Sequence, residues 1–142
     1  ENVKAIREFA GDRAVLRAFH FFEENKRVDA EVEALEKKDF ATFFNKITES
    51  GDSSWKWLQN CYCNETPDEQ SITVALALTK LYLDKIGRGV CRVHGGGFAG
   101  VIAAFLPKEE TEGFTKYIDK ALGEGSAYVM HIRPQGAVKV EF

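Results

Sequence analysis

No apolar run in this sequence approaches the roughly 20 residues that a membrane-spanning helix needs, and the N-terminus lacks the profile of a signal peptide. No membrane partner is therefore expected. Cysteines are few and odd in number: Cys61, Cys63 and Cys91. Such a set builds no disulfide framework and suits free thiols in a reducing, cytoplasmic compartment. Cys61 and Cys63 offer two sulfur donors, but a zinc site takes about four ligands, and His20, His94 and His131 show no paired metal-site spacing. No metal site is expected. Excess charge is scarce too. A net charge of −3 and a pI near 5.7 exclude any general attraction to nucleic acid or an anionic membrane. No linker, repeat or low-complexity tract interrupts the 142 residues, which read as one domain spanning 1–142. Methionine is nearly missing: the single one is Met130, and the chain opens at Glu1-Asn2-Val3. The expectation is a processed N-terminus or a piece of a longer protein, with the strand-like run into Phe142 as a natural C-terminus.

What the chain does have is core material, with 44% hydrophobic residues, among them eleven Phe and two Trp. The first half is helical in period. Ala14, Ala18, Phe21, Asn25, Val28, Val32 and Leu35 step by three and four, widened by Val15, Phe19 and Phe22, which predicts an amphipathic helix from about Asp12 to Lys37. Asn25 is the polar intruder in that stripe, expected to make a buried hydrogen bond. Asp39 is the expected N-cap of a second helix carrying Phe40, Phe43, Phe44 and Ile47, interrupted at Gly51. Trp55, Leu58 and Tyr62 continue at helical spacing beyond it. Thr66-Pro67-Asp68-Glu69 combines a capping box with proline at the first helical position, predicting a third helix. That helix is apolar nearly all round, so it is expected to be largely buried, and Gly87 is its left-handed cap.

The period then changes. Val90 to His94 and Val101 to Leu106 read as short strands, the second stopped by Pro107. A helix follows with Glu109, Glu110 and Glu112 early and Lys116 and Lys120 late, as its dipole prefers. Phe114, Tyr117, Ile118 and Ala121 form its inner face, and Gly123 closes it. Ala127 to Arg133 reads as a strand, and Val138, Val140 and Phe142 alternate with Lys139 and Glu141 as an edge strand. With Asn2 to Ile6 taken as a further strand, the order is an α+β, ferredoxin-like split βαββαβ sheet with extra helices near the front.

The motif with chemical content lies between the two short strands, at His94-Gly95-Gly96-Gly97-Phe98-Ala99-Gly100. Glycines let backbone N–H groups approach another molecule closely, and successive N–H groups in a bend form an anion-binding nest. A hairpin needs one or two glycines, not four in six positions, so the reading is a ligand or active-site loop. Gly95, Gly97 and Gly100 also satisfy G-x-G-x-x-G. A dinucleotide site, however, needs a helix straight after the loop, and six apolar residues ending in Pro107 are too short for one. A Walker loop is excluded because no Lys-Ser or Lys-Thr follows the glycines. Lys80, Lys85, Arg88 and Arg92 lie near in sequence and read as solvated charges at element ends.

Arg92-Val93-His94-Gly95-Gly96-Gly97-Phe98-Ala99-Gly100, followed by an apolar strand, resembles the third conserved motif of the GHMP kinase superfamily, in the form typical of galactokinases. Arg17-Ala18-Phe19-His20 and Glu24-Asn25-Lys26-Arg27-Val28 resemble a second galactokinase stretch, and Ile132-Arg133-Pro134 with Gly136-Ala137 resembles how those chains finish. Galactokinases commonly carry Gly where Ala99 stands and Thr where His94 stands. Their Ser-His pair falls near Ser50-Gly51, so the His is missing, and their Pro-Glu-Leu-Asp corresponds loosely to Pro67-Asp68-Glu69-Gln70. The resemblance implies the C-terminal domain of an ATP-dependent sugar kinase. Its sugar-binding motif, its phosphate loop and its assisting carboxylate would belong to an N-terminal domain that this sequence does not contain. Carried over by position, Gly95, Gly96, Gly97, Phe98 and Gly100, with His94 beside them, would line the cleft between the domains. None of them would be a catalytic acid or base, and ATP and Mg²⁺ would bind through the other domain. By itself this chain would be inactive. The rival expectation from another class is a non-catalytic ferredoxin-like module that binds a ligand or regulates.

Overall fold

The computed structural model describes residues 2–97 and 100–139. The chain is α+β. In order it forms α1 (Val3–Ala10), α2 (Asp12–Glu36), α3 (Phe40–Ser53), a π-helical turn (Ser54–Leu58), α4 (Ser71–Ile86), β1 (Val90–Val93), β2 (Ile102–Phe105), a 3₁₀ turn (Lys108–Glu110) and α5 (Thr111–Leu122). β1 and β2 pair antiparallel, with Val90 opposite Phe105 and Val93 opposite Ile102. Beneath them lies the central cluster of Cys61, Leu76 and Val93, with Ile72, Cys91 and Ile102 packed around it. Val93 is wholly buried.

Local signals placed most of these elements. Asp39 caps α3 as its residue type predicts, accepting hydrogen bonds from the Thr42 amide at 3.0 Å and the Thr42 hydroxyl at 2.7 Å. Gly87 ends α4 in the left-handed conformation at φ +69°. Tyr82 of α4 meets Phe114 and Tyr117 of α5 with ring centroids 5.4 and 5.3 Å apart, seating α5 against α4. Phe44 of α3 reaches Phe105 of β2 at 6.5 Å.

Several expectations are corrected. Residues 2–6 are not a strand. Val3, Ile6 and Ala10 share one helical face, and Gly11 at φ +82° closes α1. Gly51 does not interrupt α3, which runs through it to Ser53. A Cβ there would lie 3.1 Å from Cβ of Arg92, so the missing side chain lets α3 sit directly on β1. Thr66 and Pro67 do not open a helix. They form a turn in which Glu69 N–H bonds Thr66 C=O at 2.9 Å, and the Gln70 carboxamide bonds the carbonyls of Cys63, Thr66 and Pro67, so α4 starts only at Ser71. Val74 and Leu81 of α4 are exposed, so that helix is buried on one side only. His94 lies just past β1, and Val101 and Leu106 flank β2. Ala121 of α5 is exposed. Ala127–Arg133 forms no strand: it has no regular secondary structure and joins no sheet among the described residues. Val138 and Lys139 are likewise in no strand, and Val140, Glu141 and Phe142 lie outside the described residues.

The largest correction concerns α2. Its boundaries agree with the sequence reading, and the start of the predicted stripe faces inward, with Val15 buried and Ala14 and Ala18 half-buried, but the stripe from Phe21 onward does not: Phe21 is 60% exposed, Val28 50% and Val32 52%, and Asn25 is exposed with them. The row that packs on α3 is instead Glu24, Arg27, Glu31 and Ala34, one residue and so about 100° around the helix. That side of α2 carries the hydrogen bonds to α3, from the Ser50 hydroxyl to Glu24 and between His20 and Ser53.

Candidate functional site

Two features converge at the end of β1. The first is a polar network at its root. Arg92, the third residue of β1, sends its Nη1 to Oε1 of Glu24 on α2 at 3.2 Å, and its Nε to the Val93 carbonyl at 3.0 Å. Arg27, one turn along α2, pairs with the other Glu24 oxygen, and the wholly buried Ser50 hydroxyl of α3 donates to Glu24 as well. Next to it, Nδ1 of His20 lies 3.0 Å from the buried Ser53 hydroxyl. Burial alone would raise the Glu24 carboxyl, but the Ser50 hydroxyl and the Arg92 and Arg27 guanidiniums outweigh it and hold the group below the usual carboxylate range. His20 is pushed down, chiefly by burial, while Glu31 is pushed up, also chiefly by burial. The network ties α2, α3 and β1 into one frame, and its chemistry is that of a scaffold.

The second feature is the glycine bend that this frame supports. His94, exposed, continues the ladder by donating its N–H to the Val101 carbonyl at 2.9 Å, and Gly100 N–H closes the bend onto Gly97 C=O at 3.1 Å. Gly95, Gly97 and Gly100 take φ of +62°, +83° and +72°, a region closed to most side chains. Gly95, Gly96 and Gly100 are exposed, with open space where a side chain of Gly95 or Gly100 would stand. Gly97 is buried: a Cβ there would overlap the carbonyl oxygen of Asn60. Among the described residues, no acceptor takes the N–H of Gly95, Gly96 or Gly97. Phe98, expected to line the site, and Ala99 lie outside the described residues. The bend therefore brings His94, Gly95, Gly96, Gly97 and Gly100 together on one hairpin, where the N–H groups of Gly95, Gly96 and Gly97 have no acceptor among the described residues.

The nearby cations do not converge on it. Lys80 pairs with Asp84, Arg88 with Glu109 at 3.2 Å and Arg92 with Glu24, while Lys85 is exposed. Cys61 is buried in the core, where burial raises its thiol, whereas Cys63 is exposed and held low chiefly by the Thr66 hydroxyl at 3.3 Å. Among the described residues no group of three or more His, Cys, Asp or Glu is placed to hold a metal, and no helix is long and apolar enough to cross a membrane.

Sequence reasoning missed the floor of the bend. After the π-helical turn, Gln59 adopts the left-handed conformation (φ 58°, ψ 48°), its carbonyl held by Nη2 of Arg13 at 3.1 Å. Asn60 follows, pressed against Gly97. No residue-type signal in the sequence links it to the glycines, since the pairing exists only through the fold. No protein-family model, curated protein or solved structure matches this chain.

Proposed function

We propose that this chain is the C-terminal domain of an ATP-dependent sugar kinase resembling galactokinase, contributing one wall of the catalytic cleft. The observation that carries the proposal is the hairpin bend at Gly95–Gly100. It bears the Arg92–Gly100 motif, Gly95, Gly97 and Gly100 are left-handed, and the N–H groups of Gly95, Gly96 and Gly97 have no acceptor among the described residues. In the complete enzyme the anomeric hydroxyl of the sugar attacks the γ-phosphorus of MgATP. A new P–O bond forms as the bond to the ADP oxygen breaks, and the hydroxyl proton passes to a base on the N-terminal domain. Phosphoryl transfer depends on positioning and on stabilising the charge of the transferring group. The bend supplies close backbone approach and helps exclude water. Neither a catalytic acid or base nor a Mg²⁺ ligand is assigned to this chain.

The surface supports a missing partner. Phe21, Phe22, Val28 and Val32 on α2, and Tyr128, Val129, Met130 and Ile132 further on, are exposed. Apolar patches of this kind mark interaction surfaces in folded proteins. In this reading the N-terminal domain covers them, and Ala127–Arg133 joins an enlarged ferredoxin-like sheet. The test is ADP release by the intact protein with galactose and related aldohexoses, with Gly95→Val as the diagnostic variant, because a side chain at Gly95 meets open space within the chain. Sugar-dependent ADP release that collapses in a still-folded Gly95→Val enzyme is the expected result. Absence of sugar-dependent turnover, or normal turnover in the variant, refutes the proposal.

A further inference from the structure

Gly97 is seated on a stretch of backbone that has to be held in place. Ser54–Leu58 is π-helical, a local form that recurs at functional sites. Gln59 then takes the left-handed conformation although it is not glycine, a strain that persists only where the surroundings enforce it. Three hydrogen bonds do so. Gln59 N–H donates to the Ser54 carbonyl at 2.7 Å and closes the π-helical turn. The Thr73 hydroxyl of α4 donates to the Cys61 carbonyl at 2.6 Å, and Nη2 of Arg13 on α2 donates to the Gln59 carbonyl at 3.1 Å. Between the last two sits Asn60, whose carbonyl oxygen stands where a Gly97 side chain would be. The anchors differ in their setting. Thr73 is half-buried, whereas Arg13 is exposed, and among the described residues its guanidinium makes no other hydrogen bond or ion pair.

We infer that Arg13 is a positioning residue for the glycine bend: its hydrogen bond fixes the left-handed Gln59 peptide, and through it the Asn60 carbonyl on which Gly97 rests. The inference rests on reading the bend as a ligand site, and it adds a residue on α2 that touches neither substrate nor reacting atoms. The Gln59 carbonyl belongs to the peptide unit that enters Asn60, so turning it away from Arg13 rotates that unit and shifts the floor under Gly97. A guanidinium suits the task. Its charge strengthens the bond to a carbonyl, and its planar fork donates in a fixed direction. A lysine ammonium keeps the charge and a donor on a flexible stem, so it holds the same carbonyl less firmly.

The test uses the intact protein with Arg13→Met, which removes the donors, and Arg13→Lys, which keeps a charged one. Because Arg13 is exposed, the denaturation midpoint of both variants is expected to stay close to that of wild type. The local effect is read by a double-mutant cycle with Gly97→Ala. Once Arg13 no longer fixes the floor, the Asn60 carbonyl can yield to the added methyl, so the midpoint drop caused by Gly97→Ala should shrink by about half in the Arg13→Met background and by less in Arg13→Lys. With glycine isotopically labelled, the amide resonances of Gly95, Gly96 and Gly97 should move in Arg13→Met and partly return in Arg13→Lys, while Gly113 on α5 stays unshifted. In sugar-dependent ADP release, kcat of Arg13→Met should fall about tenfold with the KM for sugar little changed, and Arg13→Lys should recover part of the loss. An undiminished Gly97→Ala drop, unmoved glycine resonances, or a large midpoint loss in both Arg13 variants overturns the inference. Wild-type kcat in Arg13→Met also overturns it and leaves the kinase reading standing. Arg13-dependent coupling and resonance shifts in a protein that phosphorylates no sugar do the reverse.

Discussion

A methyl group at position 97 has nowhere to go, and this makes the glycine bend measurable without any activity assay. Three glycines of the bend share a left-handed φ, so alanine at any of them carries the conformational cost of that region, about 1–2 kcal/mol. At Gly95 and Gly100 nothing lies within 4 Å of the added Cβ, and that cost is the whole effect. At Gly97 the Cβ falls well inside 3.0 Å of the Asn60 carbonyl oxygen, and the obstacle is backbone, which cannot swing aside as a side-chain tip does. Overpacking of this kind adds roughly 1–3 kcal/mol. Gly97→Ala is therefore expected to lose about 2–5 kcal/mol, and each of Gly95→Ala and Gly100→Ala about 1–2 kcal/mol. Urea denaturation of the three variants beside wild type, compared by midpoint at a common slope, reads the difference directly. A Gly97→Ala midpoint equal to those of its two neighbours would show that the bend does not rest on Asn60. The floor assigned to the site would then be wrong.

Removing the Glu24 carboxylate leaves Arg27 and Arg92 facing each other in a half-buried frame. Glu24→Ala is thus expected to cost roughly 1–3 kcal/mol after allowance for partial solvent screening, and Glu24→Gln less, by the same denaturation assay. The Glu24 carboxyl is held below its usual pKa, so its contribution is present above the unfolded-state pKa and fades as pH falls through the lower folded value. The gap between wild type and Glu24→Ala should accordingly close in acid. Asp39→Ala removes the α3 cap and should lower the thermal midpoint at neutral pH. The Asp39 carboxyl is likewise held low, chiefly by the Thr42 amide, so this deficit too should disappear as pH falls through its depressed pKa; a deficit constant with pH would refute the capping assignment. Thr79, wholly buried in α4, has a hydroxyl without a partner among the described residues, so Thr79→Val should stabilise the fold by about 1 kcal/mol. A lower melting temperature in that variant would mean the hydroxyl is satisfied in solution.

What the sequence determined by itself was whatever a few neighbouring residues decide. The extent of α2, the Asp39 cap, the Gly87 stop and a hairpin turning on glycines each follow from φ/ψ preference or from a side chain within reach of its own backbone. The tertiary structure decided everything that depends on a partner distant in sequence. Periodicity identified an apolar stripe on α2 but not which side its later turns present to α3; there a polar row faces inward, with Glu24 accepting from Ser50 and His20 hydrogen-bonded to Ser53. Gly51 reads locally as a helix breaker and serves as the gap that admits β1. Ala127–Arg133 has strand-like composition, yet a strand exists only when another strand takes its hydrogen bonds, and propensity cannot provide one. Asn60 carries no signal in its residue type. It becomes the floor of the bend because folding sets its carbonyl beside Gly97, and close packing between residues distant in the chain is a property of the folded structure that no local stretch of sequence contains.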